Sequence, residues 1–390
     1  MKVRKLLIPV AILFAVATVA VAPVAAHGDP AMLDAPAGAS WFNLPTEPYK
    51  GKQDDVFFLD QKLGFYVNGA GRIFRSEDGG SSWKLMLSQP GTYFRAIGMI
   101  DAKNGFAGNI GTDYFPGVTD TNPLYSTHDG GTSWQVVKGL PGAPVKGICA
   151  IDVLRTHFIN AGKLQSRTII HAAGRVGGPA YLLRSLDGGA SWTNIDMNPY
   201  VAMIVDVKFF DEMNGFVFAG SDADVERSHA LIVATHDGGK TWKKAYESSR
   251  PYELTWKGYF PSRMVGYATI QNYNEDKTVS QRVVAKTIDG GKTWKELPLV
   301  VDHDVNEFGV GFANDQFGWV GTSKSGFETR DGGKTWRPVE MGRYANKIRI
   351  VPDGRQFTAF AIGANVYKFA VHAGGGKAEA DVAPISVAKP

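Results

Sequence analysis

One octapeptide recurs six times along the chain and constrains the fold more than any other feature. It first reads Ser76-Glu77-Asp78-Gly79-Gly80-Ser81-Ser82-Trp83 and follows the pattern Ser/Thr-x-Asp-Gly-Gly-x-Ser/Thr-Trp. The aspartates are Asp78, Asp129, Asp187, Asp237, Asp289 and Asp331. The closing tryptophans are Trp83, Trp134, Trp192, Trp242, Trp294 and Trp336, spaced 51, 58, 50, 52 and 42 residues apart. A unit of this length, repeated, signals a propeller or a solenoid. Asp-Gly-Gly is a hairpin turn: the glycines accept positive φ, and Asp bonds the backbone just ahead of it. The Trp returns on the next strand with a large surface to bury. Each copy is therefore read as a structural staple, not as chemistry.

The flanks repeat as well. Gly-aromatic starts precede the boxes at Gly64-Phe65, Gly105-Phe106, Gly215-Phe216, Gly266-Tyr267 and Gly318-Trp319. Apolar strands stand ahead of these, such as Ile204 to Phe210 and Leu254 to Phe260. Each unit thus predicts four short strands, the blade of a β-propeller, and no 3.6-residue period points to helices. A last unit, 345 to 371, supplies three strands and no box. Its missing strand is found near the other end, where Gly38-Ala39-Ser40-Trp41-Phe42-Asn43-Leu44 matches Gly189-Ala190-Ser191-Trp192-Thr193-Asn194-Ile195. The expectation is an all-β, seven-bladed propeller whose last blade is closed by the strand around Trp41. Such closure removes free sheet edges.

Residues 1–26 read as a signal peptide: Lys2, Arg4 and Lys5, an apolar run from Leu6 to Val21, then Val24-Ala25-Ala26. Residues 27–37 and 372–390 read as flexible tails around a single propeller over 38–371. Three of the four net positive charges lie in 1–26, so the remainder is close to neutral. That argues against nucleic acid as a partner. No other stretch approaches a membrane span. The lone Cys149 sits in Gly-Ile-Cys-Ala-Ile and reads as a small buried hydrophobe.

The octapeptide resembles the Asp-box, or BNR repeat, of sialidase-like propellers. With the Gly-Phe/Trp-x-x-Gly segment before it, the pattern is similar to the Ycf48/HCF136 group of exported seven-bladed propellers. That resemblance implies assistance in assembling membrane complexes, photosystem II in its best-known members. Fold alone does not fix function.

In such a blade the boxes join strands three and four on one face. The loops between strands two and three, and those between blades, emerge on the other. Four of these loops are read as insertions: Gly108 to Pro123 with Asp113 and Tyr114, Gly162 to Ala180 with Arg167, His171 and Arg175, Gly220 to Ala230 with Asp222, and Gln271 to Gln281 with Tyr273. Asp302, His303 and Asp304 form the densest group of ligand-type side chains, although their spacing matches no calcium loop. Arg95, at the start of an inner strand, is a candidate to grip an anion in the channel, as are Arg250, Arg343 and Arg349.

Three functions remain in view. The first is a non-catalytic scaffold, a monomer without cofactor, docking an envelope or membrane protein. The second is a sialidase-like glycoside hydrolase with two carboxylates across the channel, Asp113, Asp222 and Asp304 being candidates. The third is a propeller that binds a metal or a small molecule through its inserted loops.

Overall fold

The computed structural model describes residues 33–160 and 162–371. Every regular element within them is a strand, and none is a helix that could cross a membrane. Twenty-eight strands make seven four-stranded antiparallel sheets, the seven-bladed propeller that the repeats predict. Numbered in chain order, blade 1 begins at Gln53–Phe58 and blade 6 ends at Arg337–Val339. In blades 1 to 6 the strands run outward from the channel in sequence order. In blade 7 the order is Lys347–Asp353, Gln356–Ile362, Val366–Ala370, then Ser40–Leu44 from the start of the chain. Trp41 pairs with Phe369 across this last seam. Residues 1–26, read above as a signal peptide, and residues 372–390 lie outside the described residues.

The boxes behave as local staples. In the fourth copy, Asp237 accepts the Thr241 amide at 2.9 Å and its hydroxyl at 2.6 Å. Thr235 donates its hydroxyl to Asp237 at 2.9 Å and accepts the Gly239 amide at 2.8 Å. The Trp242 indole donates to the Gly239 carbonyl at 3.2 Å. Hydroxyl and then amide donors hold the Asp129, Asp187, Asp237, Asp289 and Asp331 carboxyls down at about 2. The second glycine also belongs to the packing. Gly291 has φ +84°, and a Cβ there would collide with the Phe216 ring of the preceding blade. The turn is thereby seated on its neighbour.

Blades also meet through aromatic stacks. A ring on the second strand of one blade lies flat on the ring that ends the inner strand of the next. Tyr267 stacks on Phe312 at 3.7 Å and Phe360 on Phe58 at 3.5 Å. At the third blade the place is taken by His171, which lies on Phe209 at 3.6 Å and 5°.

The lead-in before the closing strand is partly docked rather than free. Leu33 is buried, the Asp34 amide bonds the Arg355 carbonyl at 2.8 Å, and Asn314 donates to the Leu33 carbonyl at 2.9 Å. The physical reason is apolar: Leu33 joins the cluster of Trp41, Trp319 and Phe357. Trp41 meets Trp319 edge-on at 5.4 Å and Phe369 at 5.6 Å. Truncating this ring opens a large cavity at a seam joined by distant parts of the chain. Trp41→Ala is therefore expected to lower unfolding stability by about 3–5 kcal/mol in denaturant titration. A change under about 1 kcal/mol, the scale of an ordinary surface substitution, would mean that the closing strand contributes little.

Candidate functional site

The face opposite the boxes carries the loops that do not repeat. Its centre is built by inner strands converging on the channel. Asp54, from blade 1, receives Lys52 at 2.6 Å and Arg95 of blade 2 on the same carboxylate oxygen. All three are buried. Arg95 lies over the Trp256 ring at 5.0 Å. Trp256 donates to Asn346 at 2.7 Å, and Asn346 donates to the Asp54 backbone carbonyl at 2.7 Å. Five residues from blades 1, 2, 5 and 7 and their links thus lock together across the channel. Burial, with Arg95 beside it, lowers the Lys52 ammonium to about 8, while Asp54 works to raise it. Arg95 does face the channel, as its position at the start of an inner strand suggests, but its charge is committed to Asp54.

Above this core the 110–123 loop of blade 2 reaches over the channel. Phe115 stacks on Tyr93 at 4.3 Å, and Tyr114 meets Phe115 edge-on at 4.8 Å. Tyr273, Tyr344, Phe308 and Trp256 join them in one aromatic cluster with Cys149, which is buried. Burial pushes the Tyr114 and Tyr273 hydroxyls above the usual tyrosine range. Two anchors hold the loop. Asp120 accepts Thr92 and Tyr125 hydroxyls at 2.6 Å each. Arg175, itself buried, donates to the Thr112 carbonyl at 2.6 Å and to Gly178 at 2.9 Å. Arg175 is therefore a loop clamp, not a free cation. Beside the loop a hollow of about 600 Å³ opens between blades 1 and 2. Tyr49, Tyr93 and Phe115 wall it, Lys52 lines it, and Gly51, Gly69, Gly91 and Gly117 border it; a Cβ on Gly51 or Gly69 would meet the Tyr49 or Tyr93 ring.

The other expected residues are scattered around this face. Asp113 is exposed, has φ 71° and stands 3.5 Å from Lys146. Asp222 and Asp224 share Arg227, at 3.1 and 2.7 Å. The Asp302-His303-Asp304 group splits apart. Asp302 pairs with Lys324 at 2.7 Å, and His303 bonds Asp304 at 3.2 Å and the Asn274 carbonyl at 3.1 Å. His303 and Asp304 line a second hollow of about 320 Å³ between blades 5 and 6, shared with Tyr273. Next along the chain, Glu307 is fully buried, and burial raises it to about 8. Among the described residues no three His, Cys, Asp or Glu side chains are placed to hold a metal ion.

Two expected residues lie elsewhere. The segment 163–174 is not a loop of this face; it is the second strand of blade 3, Lys163–Gly174, paired with Ala150–Asn160. The insertion of this blade lengthens the hairpin between strands one and two, which points toward the boxes. Arg167 is on that hairpin, paired with Glu212 of blade 4 and over the Phe158 ring at 5.3 Å. His171 is wholly buried in the inter-blade stack. Of the other arginines, Arg250 is bound bidentate to Glu296 at 2.9 Å and to Glu253 at 2.6 Å. Arg343 lies over Tyr344.

Arg349 belongs to a feature that the sequence reading missed. At the box-side mouth of the channel a cavity of about 360 Å³ is lined by Lys208, Lys257, Lys347, Arg349, Asp152 and Asp206. The charges pair: Lys208 with Asp152 at 2.8 Å, Lys347 with Asp206 at 3.1 Å, Arg349 with Asp55 at 3.4 Å. Burial works against the Asp206 carboxylate, and Lys347 and Lys257 together hold it below the usual range. Burial brings Lys257 down to about 7. Charged residues at inward positions of successive inner strands were the available signal.

This geometry defines a class: a rigid, box-stapled seven-bladed propeller with an aromatic-capped channel and an adjoining groove. Comparison with known proteins places the fold among the Ycf48 and GH74 propellers. A Ycf48 solved with a bound D1 peptide superposes with a TM-score of 0.58, 16% identity, 88% of this chain and 99% of that one. Ycf48 from Cyanidioschyzon merolae gives 0.56 and 18%, over 85% of this chain and 98% of that one. An ancestral GH74 enzyme gives 0.57 and 15%, over 84% and 45%. No family model matches the chain. Among curated proteins it is 26% identical to a xyloglucanase of Paenibacillus sp. over 47% of this chain and 19% of that one. It is also 26% identical to the xyloglucanase Xgh74A of Acetivibrio thermocellus over 54% and 25%. The chain spans no more than a quarter of the length of these curated relatives.

His171 gives this placement a testable consequence. Burial lowers its folded value from 6.5 to about 3. Between those values the unfolded chain binds a proton that the folded protein refuses, so stability falls as pH drops below 6.5. His171→Phe keeps the stack and removes the proton. Measured by denaturation at pH 5, the variant is expected to gain about 2 kcal/mol relative to its difference at pH 8. Parallel pH profiles for the two proteins would place the ring in contact with solvent.

Proposed function

We propose that this chain is an exported, non-catalytic docking propeller that takes an extended segment of an envelope or membrane protein into the groove between blades 1 and 2. The observation that carries this is the groove itself. Aromatic walls at Tyr49, Tyr93 and Phe115 offer apolar side pockets. Lys52 lines the same hollow, buried and paired with Asp54 at 2.6 Å. Apolar pockets along a groove are one of the elements by which extended peptides are recognised. The likeness to a Ycf48 solved with a peptide supports the reading, as does the signal-like segment 1–26. Phe115 stacks on Tyr93 and is held by its own loop, so its loss empties the wall without touching the blades. Capture of partners from a solubilised envelope fraction is expected to fall at least roughly tenfold with Phe115→Ala, on the scale of a lost aromatic hot spot. Equal capture by the variant and the unaltered protein would remove the groove from consideration.

The xyloglucanase matches favour a glycoside hydrolase as the second reading. Hydrolysis needs a carboxyl kept protonated opposite a carboxylate base. Asp222 is held below the usual range by Arg227, the reverse of what a proton donor requires. Asp113 stands beside Lys146. No release of reducing sugar from xyloglucan is expected. Release that disappears in Asp222→Asn would reverse the order of the two readings.

A further inference from the structure

The hairpin between strands one and two of blade 3 departs from every box-bearing blade. In the others the first box glycine donates its amide to a residue of the short inner turn: Gly79 to Lys62, Gly130 to Lys103, Gly238 to Met213, Gly290 to Met264 and Gly332 to Gln316. In blade 3 the acceptor is Thr168, which lies within the strand Lys163–Gly174. Residues 156–160 and 162–167 are therefore extra length, extending the hairpin beyond the level of the box turns. The pairing continues out to Asn160 and Lys163, so the projection is a strand ladder rather than a loose loop.

Its composition is unusual. Phe158, Ile159 and Leu164, near the tip, are 36%, 67% and 60% exposed, with Phe158 on the opposite face of the ladder from the other two. Ile159 and Leu164 are cross-strand partners and stand on the same side. Arg155, His157 and Lys163 are exposed around them, and 155–167 contains no Asp or Glu. Exposed apolar side chains gathered at the end of a projecting hairpin mark an interaction surface. Apolar residues at the tip with a basic collar, and no acid on the hairpin itself, fit an acyl boundary beneath anionic headgroups; Glu212, from blade 4, is already paired with Arg167 at its base. A folded protein partner would more often bring a mixed-charge rim.

We propose that this hairpin docks the box face of the propeller onto an anionic lipid surface, with Ile159, Leu164 and Phe158 entering the interface and Arg155, His157 and Lys163 meeting the headgroups. The inference is independent of the groove on the opposite face.

The test is co-sedimentation of the isolated protein with phosphatidylcholine vesicles, with and without phosphatidylglycerol. Binding to the phosphatidylglycerol vesicles is expected, weakening as salt rises, and little binding to phosphatidylcholine alone. Ile159→Asp/Leu164→Asp is expected to weaken it at least roughly tenfold. Lys163→Glu should weaken it by several-fold. Ile288→Asp, an equally exposed apolar site in a box turn, should leave it unchanged. All the changed side chains are exposed, so melting temperatures should match and loss of fold is separately visible. Equal binding to both vesicle types, no binding to either, or binding retained in the double variant would each overturn the proposal. A protein captured through the hairpin in place of lipid would overturn it as well.

Discussion

The structure depends on one small arrangement of hydrogen bonds, the aspartate that gathers a hydroxyl and an amide four residues ahead of it. Because Asp237 accepts both groups of Thr241 while Thr235 holds the Gly239 amide, the turn is fixed without tertiary help. A turn fixed in this way delivers Trp242 at one height and seats the glycine on its neighbour. The same geometry in six blades makes the repeat a statement about position as well as about local shape. Blade 7 lacks a box and needs another means of closure, and the Trp41 seam with its ring contacts to Trp319 and Phe369 provides it. The docked Leu33 extends the same apolar seal.

With the ring rigid, specificity falls to what the repeat does not control. Channel-facing positions receive one residue from each blade, so groups far apart in sequence are forced together. Asp54, Arg95, Trp256 and Asn346 meet only because four different blades or links aim them at one axis. Each buried charge there has an opposite partner, which is the condition for keeping charges in a protein interior. The interior of the channel is accordingly a fastening. The open chemistry is at its rims, where the 110–123 loop and the glycine-bordered groove lie on one side.

The sequence carried the fold well because blades are local. Box, Gly-aromatic start and inner strand all lie within one unit, and the Trp41 segment announced its role by copying the end of a box. The site was legible only in part. Arg95 was recognisable as an inner-strand residue, yet its partner Asp54 belongs to another blade and no local pattern links them. Arg167 and His171 were misplaced for a different reason. Blade 3 lacks the Gly-aromatic start, and the glycine of its long hairpin, Gly162, looks like the end of a second strand and the start of the loop after it. His171 then fills a place held elsewhere by tyrosine or phenylalanine, where its flat ring is what the stack uses. A titratable residue invites a chemical reading; here the packing position explains it, and its lowered value follows from that burial.

Two of the departures from the repeat point in opposite directions. The blade 2 insertion rises over the channel on one face, and the blade 3 hairpin projects from the other. A blade strand of five residues or so is roughly 17 Å long. A propeller resting on a lipid surface by its box face would thus hold its groove roughly 20 Å or more above the headgroups. That separation suits the capture of an extended segment belonging to a protein embedded in the same membrane. Taken together, the two proposals relate the groove to a plane and not only to a ligand.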